Sequence, residues 1–73
     1  MRQKLKEARQ KAGMTQQQMA EKLDISLRYY QHIEAGQRTG DFGIWDTLED
    51  IIGVHQRILR QNESSHPDKE DSP

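Results

Sequence analysis

The segment Thr15-Gln16-Gln17-Gln18-Met19-Ala20-Glu21-Lys22-Leu23-Asp24-Ile25-Ser26-Leu27-Arg28-Tyr29-Tyr30-Gln31-His32-Ile33-Glu34-Ala35-Gly36 decides the fold. Thr15 is a good N-cap, and Gln18 stands three residues on, the spacing of a capping box. Met19, Ala20 and Leu23 give the apolar face of a short helix. Asp24 and Ile25 break it. Ser26 is a second N-cap, and a third helix is predicted from Leu27 to about Ala35, with Tyr30 and Ile33 inward and Gly36 ending it. Two helices of about two turns each, parted by so short a break, pack near-perpendicular on a support.

The support comes from both sides. Residues 2–12 are rich in helix formers, with Leu5, Ala8 and Ala12 as a narrow apolar stripe and Gly13 as the stop. Gly36-Gln37-Arg38-Thr39-Gly40 reads as a loop. Asp41 caps a fourth helix over 42–52, with Phe42, Trp45, Leu48 and Ile52 inward and Ile44 and Ile51 flanking. Gly53 ends it, and a short fifth helix is expected over about 55–61, with Ile58 and Leu59 as its apolar pair. Residues 62–73 hold no apolar residue but proline, and an acidic, disordered tail is expected there. The reading is all-α: one compact five-helix domain over 1–61, with no alternating strand pattern and no repeat.

Composition bounds the function. With 73 residues and no cysteine, the chain is one small domain without disulfides or thiolate metal sites. No apolar run approaches the ~20 residues of a membrane span, and a soluble cytoplasmic protein is expected. The three histidines, at 32, 55 and 66, are dispersed, and no nucleophile–base or metal spacing appears. An enzyme, a cofactor and a metal are therefore not expected. The net charge of −1 looks wrong for a polyanion binder, but it is unevenly spread. Residues 1–40 hold eight Lys/Arg against four Asp/Glu, whereas 61–73 hold one against four. A basic face is compatible with the acidic total.

With Tyr30 and Ile33 inward, the outer face of the third helix carries Leu27, Arg28, Gln31 and His32. A protruding helix about 10–12 Å wide fits the major groove of B-DNA. Arg28 can fork onto guanine, Gln31 onto adenine, His32 can donate to an acceptor, and Leu27 can meet a thymine methyl. A merely solvated polar face is the plain alternative, and composition alone does not choose between them.

The wording Thr15-Gln16-Gln17-Gln18-Met19-Ala20-Glu21-Lys22-Leu23, then Ser26, then Ile33-Glu34-Ala35-Gly36, resembles the lambda-repressor-like Cro/XRE family of helix-turn-helix regulators. The likeness runs over residues 3–60 without a gap. It implies a five-helix DNA-binding domain whose helix-turn-helix spans 15–35, with helix three in the major groove. It implies base reading by Leu27, Arg28 and His32, with Gln31 as a further candidate. Gln16 would bond a phosphate and buttress the recognition helix, and Arg38 would touch the backbone from the loop. Gln17, Ser26 and Tyr29 are further positioning candidates, as are Lys4 and Lys11. Arg9 and Glu34 match a salt bridge between helices one and three, although Arg9 on a phosphate is an alternative. The departures are Tyr30 where a β-branched aliphatic is usual, Gly40 in place of a common proline, Leu27 where Gln or Arg is common, and Glu49 in a place usually small. Trp45 reads as core before stacking platform.

The expected function is a transcriptional regulator, a repressor that binds a pseudo-palindromic operator in double-stranded DNA as a homodimer. Val54, Ile58 and Leu59 are the natural dimer seam, unless they only complete the core. The rival reading is an antitoxin-type or other protein-binding module, whose acidic tail would wrap a partner.

Overall fold

The computed structural model describes residues 1–61, and the expected tail lies outside the described residues. Five helices follow in order: α1 (Gln3–Lys11), α2 (Gln16–Leu23), α3 (Leu27–Glu34), α4 (Phe42–Ile52) and α5 (Gln56–Leu59). No strand occurs among the described residues. α2 packs chiefly on α3, α1 on α3 and α5, and α4 on α2 and α5. The core is Leu5, Met19, Ala20, Tyr30, Ile33, Ile44, Trp45, Leu48 and Leu59.

The helix ends follow local chemistry. Thr15 Oγ1 accepts from the Gln18 N–H at 3.0 Å, and Gln18 Oε1 accepts from the Thr15 N–H at 2.9 Å, closing the expected capping box. Ser26 and Asp41 accept in the same way from Tyr29 and Ile44. Their side chains satisfy N–H groups that the first turn leaves without carbonyl partners. α2 ends in a Schellman motif: the Ile25 N–H donates to Ala20 O at 3.0 Å, and the Asp24 N–H to Glu21 O at 3.1 Å. That pairing requires Asp24 in the left-handed region, at φ 59°. The tight turn leaves only three residues between α2 and α3 and aims α3 across α2.

Three core assignments are corrected. Phe42 is 75% exposed, whereas Ile44, expected as a flanking residue, is buried. The buried stripe of α4 centres on Leu48, and Phe42, six residues away, falls about 120° round the helix from it. Ala12 is exposed because α1 ends at Lys11: Ala12 is its C-cap, past the packed part of the inward line that runs through Arg2, Leu5 and Arg9. The fifth helix is shorter than expected, a single turn capped by His55.

Gly40 has φ +76°, which proline, locked near −65°, cannot adopt. An added Cβ there would also meet Ile33 Cδ1 at 3.3 Å. The loop therefore takes a course that a proline at this position would forbid.

Candidate nucleic-acid interface

α3 carries its chemistry on two faces. The inner face inserts Tyr30, Ile33 and Glu34, all buried. Glu34 is 1% exposed, and its two oxygens are saturated. Oε2 accepts from Arg9 Nε at 2.8 Å and from the Tyr30 hydroxyl at 2.7 Å. Oε1 accepts from Arg9 Nη2 at 3.2 Å and from Gln16 Nε2 at 2.9 Å. A carboxylate offers about four acceptor sites, and all are used. Burial pushes the Glu34 carboxyl up, but the hydrogen bonds from Arg9, Tyr30 and Gln16, with the Arg9 charge, together hold it below the usual range. Its hydrogen bond to Glu34 outweighs burial and raises Arg9. Burial first, then the bond to Glu34, drives the Tyr30 phenol well above its ordinary value. The polar exit required by Tyr30 is thus the Glu34 carboxylate, one helical turn on.

This cluster joins three helices. Arg9 comes from α1 and Gln16 from the first turn of α2; Tyr30 and Glu34 come from α3. Arg9 Nη1 also donates to Met14 O at 2.8 Å, holding the α1–α2 turn. Gln16 extends the cluster to the surface, where its Oε1 accepts from Gln31 Nε2 at 3.3 Å. A polar chain therefore runs from a buried carboxylate to the exposed face of α3.

That exposed face holds Arg28 and Gln31, both exposed, with Leu27 and His32 half-buried beside them. His32 Nδ1 and Gln37 Oε1 form a side-chain hydrogen bond that joins the end of α3 to the following loop. Arg38 is exposed on that loop. Gln17 and Ser26 are exposed at the starts of α2 and α3, and Gln17 Nε2 donates to Glu21 at 3.1 Å. Tyr29 turns to the flank, in a hollow with Leu23, Ile25, Ile44 and Thr47, next to α4. A polar, cation-bearing helix face beside a cationic loop and two helix N-termini presents donors to anions and to base edges.

A helix-turn-helix family model of the Cro/C1 type matches residues 5–59, more than half of the 73 residues. The chain belongs to this helix-turn-helix family. No curated protein and no solved structure matches the chain significantly. The family is one of DNA-binding regulators, generally without catalysis, and the five-helix fold is that of the lambda-repressor-like domain.

Other site residues fall elsewhere. Leu59, expected at a dimer seam, is fully buried in the core of its own chain. It is covered by its own chain and cannot contribute to a surface contact, the alternative expected for it being completion of the core. Val54 is half-buried, and Ile58 is 42% exposed. They line a groove with Ile52, Ala8 and Ala12, and Lys4 and Lys11 stand on its rim. The two lysines thus belong to this groove with Val54 and Ile58. Trp45 is core, and its Nε1 donates to Thr39 O at 2.7 Å.

Sequence reading overlooked Arg2. It is 6% exposed, and its guanidinium donates to three carbonyls: Nη1 to Ile33 O at 2.6 Å and Arg38 O at 2.8 Å, and Nε to Arg60 O at 3.1 Å. Its Cζ lies 5.2 Å from the Trp45 ring centroid. Among the described residues it has no carboxylate partner. Burial, and then the charge of Arg60, draw its pKa down. The carbonyl end of α3 and the Trp45 ring face supply the compensating negative potential.

Proposed function

We propose that this protein is a sequence-specific regulator of transcription, a repressor that binds a pseudo-palindromic operator as a two-fold dimer. The observation that carries the reading is the division of α3: buried Tyr30, Ile33 and Glu34 clamp one side, while Arg28 and Gln31 are exposed on the other with Leu27 and His32 half-buried beside them. A helix clamped in this way meets a groove without backbone reorganisation, so the ordering cost of binding is confined to its exposed side chains. Arg28 reads guanine, Gln31 and His32 read neighbouring positions, and Leu27 offers an apolar contact to a thymine methyl. Gln16, Gln17, Ser26, Arg38 and the first-turn N–H groups of α2 and α3 hold phosphates and set the register. Gln16 serves both tasks, since it is anchored to Glu34 and bonded to Gln31.

One such module buries only about 600–1,000 Å², which is small for operator-grade affinity. Two modules joined through Val54 and Ile58 would reach half-sites about 34–36 Å apart and gain by effective concentration. Repression follows where the operator overlaps a promoter, and DNA as partner implies the cytoplasm as the working compartment. Selection from a pool of random duplexes tests the reading. A two-fold-symmetric motif is expected; recovery of unenriched sequence by folded protein would contradict it.

A further inference from the structure

The structure assigns Arg2 a positioning role for DNA binding: its guanidinium fork holds the loop that presents Arg38. This rests on the reading that the loop meets the DNA backbone. The fork's Nη1 is shared between the last turn of α3, at Ile33 O, and the loop, at Arg38 O. The next loop carbonyl, Thr39 O, accepts from Trp45 Nε1, and the Arg2 guanidinium lies against the Trp45 ring. Two successive carbonyls of an otherwise exposed loop are therefore held from beneath by two side chains that touch each other. The Gln37 and Arg38 N–H groups both donate to His32 O, at 2.8 and 3.2 Å, which ties the loop's other edge to α3. With its backbone pinned on both edges, Arg38 projects from a fixed base beside the recognition helix.

The chemistry requires an arginine. A lysine keeps the charge but has no planar fork with which to bridge Ile33 O, Arg38 O and Arg60 O together. Arg2→Lys therefore releases the loop without altering the net charge, which separates positioning from bulk electrostatics.

The test is the salt dependence of binding by the full chain. Fluorescence anisotropy is measured between 50 and 200 mM NaCl on a duplex recovered by random selection and on a scrambled duplex. Each neutralised phosphate contributes about 0.9 to the slope of log K against log salt. Arg38→Ala is expected to lower the slope by about 0.9 per protomer on both duplexes. Arg2→Lys is expected to lower it by the same amount with base preferences unchanged, and the double variant to fall no further than Arg38→Ala alone. Each variant is measured below its melting temperature, read by circular dichroism. Trp45→Phe, which keeps a core ring but cannot donate to Thr39 O, is the second variant and is expected to lower the slope as well. A wild-type slope in Arg2→Lys and Trp45→Phe, beside a reduced slope in Arg38→Ala, would confine Arg2 to holding the fold and overturn the assignment. A wild-type slope in Arg38→Ala would overturn it too, while leaving base reading by α3 intact. Absence of binding by the wild-type chain would remove the underlying reading itself.

Discussion

Gln16 Nε2 donates to Glu34 Oε1 at 2.9 Å, so the first turn of α2 is tied to the last turn of α3 across the helix-turn-helix. The bond makes Glu34 the common anchor of both helices of the motif, with Arg9 as its charged partner from α1 at 2.8 Å. Orientation of the outward face of α3 therefore depends on a residue that never reaches solvent.

Glu34→Gln leaves the Arg9 charge buried and sets an amide donor among donors. Breaking a buried pair in this way costs about 3–5 kcal/mol, a large part of the stability of so small a domain. A marked fall in melting temperature is expected by calorimetry. Acid titration adds a second reading. The carboxyl of Glu34 titrates lower in the folded than in the unfolded state, so its contribution is complete above the ordinary carboxylate range and is lost as pH falls through the folded value. The wild type should lose stability below about pH 4.3 more steeply than Glu34→Gln does. Parallel acid limbs would count against the pair.

Tyr30 makes the opposite prediction in alkali. Its folded pKa is raised, so its contribution is present below the unfolded value and is lost as pH climbs above it. Stability should decline above about pH 10. Tyr30→Phe should cost about 1–3 kcal/mol at neutral pH by leaving a carboxylate acceptor unfilled. It should also flatten the alkaline decline, as followed by urea unfolding at successive pH values.

Asp24 adopts a left-handed conformation at φ 59° to complete the Schellman end of α2. Glycine takes that conformation without a Cβ penalty, partly offset by greater freedom of the unfolded chain. Asp24→Gly should stabilise the domain by about 0.5–1 kcal/mol, seen as a raised urea midpoint. A lowered midpoint would mean that the side chain does more than occupy the turn.

Much of this was legible because it is local. The capping box at Thr15 and Gln18, the cap at Asp41 and the glycine stops depend on neighbours within four residues, and sequence shows neighbours. The Cro/XRE wording located the helix-turn-helix by resemblance. Phe42 was misplaced because an apolar residue in a helix's first turn satisfies a periodic count taken from Trp45, while the stripe centres on Leu48. Arg2 escaped for the converse reason: a buried cation whose partners are the carbonyls of residues 33, 38 and 60 leaves no apolar period and no acidic partner to search for. Ile58 and Leu59 are adjacent and equally apolar, and only the packing of α1 and α4 on α5 decides which of them is covered.

That last distinction is testable. Leu59→Ala removes a fully buried side chain and should cost about 2–5 kcal/mol of stability. Ile58→Glu alters a half-exposed groove and should leave melting nearly unchanged while abolishing two-fold binding. Linked modules gain about 10²–10⁴ over single ones, so affinity for a full operator should fall within that range while half-site affinity holds. Equal affinity for the full site in wild type and Ile58→Glu, by gel shift, would place the dimer contact elsewhere.

The most direct measurement is the effect of Arg28→Ala on the binding constants for the selected duplex and for a scrambled one, side by side at one salt concentration. If α3 reads bases through Arg28, affinity for the selected duplex falls by about 1–3 kcal/mol per half-site, affinity for the scrambled duplex barely changes, and the base preference relaxes at one position in each half-site. Equal losses on both duplexes would make Arg28 a phosphate contact, and no loss on either would contradict the placement of this helix in the groove.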